Sequence, residues 1–199
     1  EARKSQEWYD DYNKQSVEYH NSVRIAPKKF MGIDIGVVND FTVLTCIDIN
    51  NVVVDVDRFN MSDERYTHKE FKERIYKFYK KHEADLVSCY MEINNKELLF
   101  DELLDEYQMY KLNEVRTSAM NKPVMVDQLI KLFDEYAITI PFNEELEKEL
   151  YAFSSVQNKV TGKWQYKGSD GIHDDMVMSL ILAVVCKNEE TSTGYTEVY

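Results

Sequence analysis

The chain has 199 residues, and its 36 Asp and Glu outnumber its 24 Lys and Arg, which gives a formal net charge of −12. Hydrophobic residues make up 44% of the sequence and only six glycines and three prolines occur, which excludes a disordered or low-complexity chain and favours one packed domain. The acidic balance also argues against a generic basic coat for nucleic acids.

The three cysteines favour a reducing compartment. Cys46, Cys89 and Cys186 lie far apart in apolar runs without CxxC spacing, so neither a disulfide framework nor a zinc site is expected. The longest apolar run, residues 176–186, is shorter than the roughly 20 residues that cross a bilayer, so no membrane partner is expected. Residues 1–28 are polar with scattered aromatic side chains, and we expect a linker or peripheral helix in a piece of a longer chain.

The first half of the chain is predicted to begin with an antiparallel meander of three closely spaced strands. Phe71, Ile75 and Phe78 recur at helical spacing and predict an amphipathic helix after the meander. A further strand and an acidic helix follow. The predicted strands are 30–36, 41–49, 52–59 and 86–93, and the predicted helices are 67–82 and 97–110.

The second half is predicted to alternate strands and helices before a final apolar helix. Asn143 is a suitable cap for a helix that runs through Phe153. Residues 156–167 alternate around Thr161-Gly162, which is typical of a β-hairpin. The other predicted elements are a strand at 111–116, a helix at 124–136, an extended piece at 137–141, a last helix at 173–187 and a flexible tail at 188–199.

One carboxylate lies inside the first apolar strand. An unpaired buried carboxylate costs several kcal/mol, so Asp34 needs a partner. Period-two alternation places it on one face with Gly32 and Gly36, opposite the large apolar residues of the strand. Two glycines beside one acid leave room for a cation or a second backbone. An acid at a strand end is also a common turn residue, so this signal is weak alone.

Further acids end or begin other core elements. Glu92 ends the strand that starts near Leu86, and Asp174 and Asp175 open the most apolar helix of the chain. Capping and the helix dipole also favour acids at a helix start, so a purely capping role for the doublet stays open. Carboxylates gathered in one place repel each other, and hard cations such as Mg²⁺ or Mn²⁺ relieve that repulsion.

The order of elements and three motifs resemble the nuclease domain of the large terminase subunit of tailed bacteriophages, in the RNase H-like superfamily. The motifs are GIDIG around Asp34, the strand-end Glu92 and HDDMVMSLILAV, and GIHDDMVMSL is the most specific part. The stretch 121–141 and the segment ELYAF at 149–153 are similar to the family too. The resemblance covers residues 29–187 and implies an α/β fold: a central mixed five-stranded sheet, with a three-strand antiparallel meander followed by parallel strands, flanking helices and an added β-hairpin.

The resemblance implies a metal-dependent endonuclease that cuts double-stranded viral DNA concatemers during genome packaging, with two Mg²⁺ or Mn²⁺ ions. In two-metal hydrolysis one carboxylate bridges the ions, and Asp34 is the central candidate. Glu92 and Asp175 are the flanking candidates, although the doublet leaves Asp174 open. Asp40 matches an accessory acid of some members. His173 either orients the water or a neighbouring acid, or is structural.

A basic surface must accompany such an acidic site if the protein binds DNA. No acid occurs between Leu150 and Ser169, and the predicted hairpin interleaves lysines with aromatic residues, although a solvated ribbon has the same pattern. A second acid-free loop lies between Val115 and Val126. The candidate DNA contacts are Lys159, Lys163, Lys167, Trp164, Arg116 and Lys122.

The family further implies partners and a location. No G-x-x-x-x-G-K-[ST] motif occurs, so we expect the ATPase motor domain elsewhere on the full-length chain, with the portal and the small terminase subunit as further partners. The host cytoplasm is the expected location, without retention in the virion.

Other functions remain as alternatives. The nearest is a nuclease similar to Holliday-junction resolvases, which share the logic of clustered acids. GIDIG also opens the phosphate-binding hairpin of actin-like and sugar-kinase ATPases, but those folds normally need two such domains and a second glycine-rich loop. An inactive RNase H-like binding module is the third alternative, and retention of all the acids argues against it.

Overall fold

The computed structural model describes residues 26–36, 40–60, 66–157, 164–169 and 171–193. The expected linker up to residue 25 and the last six residues of the expected tail lie outside the described residues. The described residues form seven strands and five helices, numbered in chain order. The strands are β1 Lys29–Asp34, β2 Thr42–Asp48, β3 Val53–Phe59, β4 Leu86–Glu92, β5 Leu112–Val115, β6 Phe153–Gln157 and β7 Trp164–Gly168, and the helices are α1 His68–His82, α2 Glu97–Asp105, α3 Lys122–Asp134, α4 Glu144–Ala152 and α5 Asp175–Thr193.

Five strands form one mixed sheet in the order β3-β2-β1-β4-β5. The meander pairs antiparallel, β1 with β2 and β2 with β3. β4 and β5 join parallel to their neighbours, which is possible because α1 and α2 supply the long crossovers that parallel strands require. The predicted mixed sheet of five strands, an antiparallel meander followed by parallel strands, is therefore confirmed.

Helices cover both faces of the sheet. One apolar cluster joins α1 and α2 to the β1 residues Met31 and Ile33, and another joins α3 and α5 to Phe30. α5 packs so closely across β1 that a Cβ added at Gly32 would lie 2.1 Å from the carbonyl oxygen of Ser179. Ser179 Oγ donates to the Gly32 carbonyl over 2.9 Å. This close contact sets the position of the start of α5 relative to the end of β1.

Local signals explain several element boundaries. Thr67 and Glu70 form a reciprocal capping box at the start of α1. Asn143 caps α4 as predicted, since its side chain accepts from the Leu146 N–H. α2 ends at Asp105 rather than at residue 110, because the chain reverses through Gln108, which has a φ of 55°. α3 begins two residues earlier than predicted, with Pro123 in its first turn, where proline is favoured.

The predicted hairpin exists, with different limits. β6 starts directly after α4 and pairs antiparallel with β7, from Phe153–Gly168 to Gln157–Trp164. The predicted turn at Thr161-Gly162 lies outside the described residues. α5 starts at Asp175, two residues after the predicted start, and continues to Thr193, six residues beyond the predicted end at Lys187. In the described part of the chain, every helix is too short or too polar to span a membrane.

Candidate metal-binding site

Two neighbouring parallel strands end in acids at the same edge of the sheet. Ile33 of β1 pairs with Met91 of β4, so Asp34 and Glu92 are the next residues on the two strands. α5 crosses β1 on one face, and its first residue is Asp175. The fold therefore brings three elements, each with a predicted site carboxylate, to one edge.

Asp34 is the most buried of these carboxylates, with 7% of its surface exposed. Burial raises the pKa of Asp34 well above its usual range, Lys96 lowers it, and the negative charges of Glu92, Asp175 and Asp174 raise it further. Asp34 is thus close enough to the three other acids to be repelled by each of them. A divalent cation would relieve this repulsion and favour the ionised forms.

Lys96 lies beside Asp34 and was not identified from the sequence. Its Nζ is 3.8 Å from Asp34 Oδ1, and only 13% of its side chain is exposed. The residue precedes α2 in the turn that follows β4. A lysine in a polar turn carries no sequence signal of burial, so only the fold reveals this contact.

Asp175 forms a compact group with Asp40 and His173. His173 Nδ1 lies 3.5 Å from Asp40 Oδ1 and 3.5 Å from Asp175 Oδ2. The Phe41 N–H donates to Asp175 Oδ2 over 3.0 Å, and the Phe41 ring packs edge-on against His173. Burial raises the pKa of Asp175, and the hydrogen bond from Phe41 lowers it. One ligand atom from each of the three residues lies within 4.8 Å of the others, close enough to hold one metal ion.

Asp34, Glu92 and Asp174 do not form a second group of this tightness within the described ranges. Glu92 Oε1 accepts instead from Asn94 Nδ2 at 2.9 Å and from the Thr117 hydroxyl. Asp174 Oδ2 lies 3.5 Å from Lys122 Nζ. The predicted accessory residues Asp40 and His173 therefore form a compact group with Asp175, whereas the predicted flanking ligand Glu92 belongs to no such group among the described residues.

The predicted DNA contacts are distributed unevenly. Lys122 and Lys167 line one cavity of about 230 Å³ between the hairpin and the loop before α3. Arg116 pairs with the exposed Glu97 at 2.8 Å. Trp164 is the first residue of β7, and Lys159 and Lys163 lie outside the described residues. At least two of the predicted lysines thus lie on the side of the site that carries Asp174.

Two further charged residues close to the start of α5 were not identified from the sequence. Glu149 is 3% exposed on α4, and its Oε2 accepts from the Met176 N–H at 2.8 Å. Arg58 Nη2 lies 3.7 Å from Glu149 Oε1. A sequence signal did exist for Glu149, because it lies three residues after the buried Leu146 on a helix whose inward face is otherwise apolar.

No protein-family model and no curated protein matches the sequence. Solved structures do match. The large terminase nuclease of the thermophilic phage G20c with bound magnesium has a TM-score of 0.65 at 20% identity, over 81% of this chain and 82% of that chain. The large terminase nuclease domain of Thermus phage P74-26 has a TM-score of 0.63 at 21% identity, over 79% of this chain and 78% of that chain.

A third match is the large terminase nuclease domain of bacteriophage SPP1 with bound Mn, with a TM-score of 0.57 at 13% identity, over 82% of this chain and 88% of that chain. The described fold is thus that of the large terminase nucleases, as the sequence resemblance implies. At identities of 13–21%, this similarity establishes the fold.

Proposed function

We propose that this chain is the nuclease domain of a phage large terminase subunit and cuts double-stranded DNA concatemers by two-metal phosphodiester hydrolysis. The observation that carries the proposal is Asp34, a buried carboxylate at the end of β1, which lies next to Glu92 at the end of the paired strand β4. The fold supports the same conclusion, because its structural neighbours include a nuclease with bound magnesium and one with bound Mn.

The side chains at the edge suit a hard divalent cation. Carboxylate oxygens are the ligands that Mg²⁺ and Mn²⁺ prefer, and the described site contains no thiolate that would favour zinc. Asp34, Glu92, Asp174 and Asp175 are the residues that would hold the ions, with Asp34 as the central one of the four. Two bound ions would activate a water molecule and stabilise the leaving oxygen.

The remaining residues of the site would position its groups. His173 lies between Asp40 and Asp175, with its Nδ1 3.5 Å from a carboxylate oxygen of each, and would orient these acids or a water molecule. Lys96 offsets part of the negative charge around Asp34. Asn94 and Thr117 orient the Glu92 carboxylate through their hydrogen bonds to Oε1.

DNA would approach along the face that carries Lys122 and Lys167. These lysines line one cavity, and Lys122 also touches Asp174, so a phosphate held there would lie beside the acids. Lys159, Lys163, Trp164 and Arg116 remain proposed contacts. The ATPase motor domain on the same full-length chain, the portal and the small terminase subunit are the proposed partners, in the host cytoplasm and not in the virion.

Plasmid cleavage tests the proposal. The protein should nick and linearise supercoiled plasmid with Mn²⁺ or Mg²⁺ and stop when EDTA is added. Asp34→Ala should lose cutting, whereas Asp101→Ala, which removes an exposed acid of α2, should keep it. Undiminished cutting by Asp34→Ala would refute the proposal. Preference for a four-way junction over linear duplex would instead favour a resolvase-like nuclease.

A further inference from the structure

Glu149 lies on α4 and is hydrogen-bonded to the start of α5, next to the proposed metal site. The first N–H groups of a helix have no partner within the helix and need an acceptor from elsewhere. Glu149 Oε2 supplies one, because it accepts from the N–H of Met176 over 2.8 Å. Met176 directly follows Asp175, so this bond holds the backbone next to a proposed metal ligand.

The Asp175 side chain bonds elsewhere and does not cap its own helix. Its Oδ2 accepts from the N–H of Phe41, which lies just before β2. The helix start is therefore capped by a residue of another helix, while the Asp175 carboxylate stays near His173 and Asp40. Such a division is useful at a metal site, since a carboxylate occupied in capping its own helix is less available to a cation.

Arg58 contacts both Phe41, which bonds the Asp175 carboxylate, and Glu149, which bonds the backbone next to Asp175. Its guanidinium carbon lies 3.3 Å from the centre of the Phe41 ring, and its Nη2 lies 3.7 Å from Glu149 Oε1. Among the described residues, neither Glu149 Oε1 nor Arg58 Nε has a hydrogen-bond partner, although both atoms are buried. Burial of polar atoms without a bond is costly, so packing alone does not favour this arrangement of Arg58 and Glu149.

We propose that Glu149 is a positioning residue for the metal site: by accepting from Met176, it holds the start of α5 so that Asp174 and Asp175 face the other acids. Arg58 supports it by fixing Phe41, whose N–H orients the Asp175 carboxylate. This inference rests on the proposed function. It assigns Glu149 no contact with metal or DNA.

Three variants of the complete protein test this role. Glu149→Ala removes the acceptor, Glu149→Gln keeps an oxygen at the same reach, and Glu149→Asp shortens the side chain by one methylene. Mn²⁺ binding is measured by calorimetry, and plasmid cutting is measured against Mn²⁺ and DNA concentration. Glu147→Ala, which removes an exposed acid of the same helix, is the matched control.

Glu149→Ala should weaken Mn²⁺ binding by about 10- to 100-fold, the usual effect of removing a group that orients metal ligands. Cutting should need correspondingly more Mn²⁺, while the KM for DNA stays nearly constant. Glu149→Gln should restore most of the affinity, and Glu147→Ala should match the unaltered protein. If Glu149→Ala does not fold, Glu149→Asp decides the question, and the same weakening is expected.

Unaltered Mn²⁺ affinity in a folded Glu149→Ala or Glu149→Asp would overturn the inference. So would equal losses in Glu149→Ala and Glu149→Gln, because the charge and not the acceptor oxygen would then matter. Calorimetry separates this inference from the proposed function. An unaltered protein that binds Mn²⁺ but does not cut DNA would refute the nuclease, while the variants would still report on Glu149.

Discussion

Replacing Glu149 with glutamine should change how the stability of the protein depends on pH. Burial raises the pKa of Glu149 to about 7 from an ordinary value of 4.5, and the negative charge of Asp175 adds to the increase. The N–H groups of Met176 and Val177 and the Arg58 guanidinium act in the opposite direction without cancelling it. The folded protein therefore keeps this proton over a pH range in which the unfolded chain has released it.

The sign and size of the effect follow from this difference. Below pH 4.5, Glu149 is protonated in both states, so the full stability is present. Between pH 4.5 and about 7, only the folded state holds the proton, and the free energy of unfolding falls by about 1.4 kcal/mol per pH unit. The total loss is about 3 kcal/mol, a large share of the roughly 5–15 kcal/mol that stabilises a typical protein.

Denaturant unfolding of the unaltered protein and of Glu149→Gln, in EDTA between pH 4.5 and 8, measures this loss. Glutamine does not titrate, so the difference between the two free energies isolates Glu149 from the other acids. As the pH rises, the unaltered protein should lose about 3 kcal/mol of stability relative to Glu149→Gln. Glu147→Gln, an exposed position on α4, should show no such trend. A pH-independent difference for Glu149→Gln would refute the reasoning.

Three other predictions concern the metal, the core and the DNA surface. Mn²⁺ at about 100 times its Kd should raise the free energy of unfolding by about 2.7 kcal/mol, and thermal melts of Asp34→Asn should lose most of this gain. Gly32→Ala should destabilise the protein by about 1–3 kcal/mol or more in denaturant melts, because the new Cβ would lie 2.1 Å from a carbonyl oxygen of α5. Lys122→Ala and Lys167→Ala should each weaken duplex binding in fluorescence titrations and reduce its salt dependence, whereas Lys69→Ala, on exposed α1 surface, should change neither.

Much of the fold could be predicted because its signals are local. The alternation in β1, the spacing of Phe71, Ile75 and Phe78 in α1 and the Asn143 cap each depend on residues a few positions apart. The limits of α2 and α5 were less accurate. α2 ends early because Gln108 adopts a positive φ, and α5 extends through the polar residues up to Thr193, which carry no hydrophobic pattern.

The candidate site was predictable only in part. Acids in apolar segments are conspicuous, since burying a charge is costly, and so Asp34, Glu92 and the Asp174–Asp175 pair could be identified from the sequence. Which residues lie next to each of these acids was not predictable. The structure places Asp40 and His173 beside Asp175, while Glu92 binds Asn94 and Thr117.

The sequence by itself determined most of the elements and identified the acids that lie in apolar segments, because propensity, periodicity and the cost of burial are properties of short segments. Only the tertiary structure decided what faces those carboxylates. Lys96 reaches Asp34, Lys122 reaches Asp174, and Glu149 holds the start of α5 from another helix. These contacts join residues 27 to 62 positions apart, and such pairs depend on how strands and helices pack rather than on any local pattern.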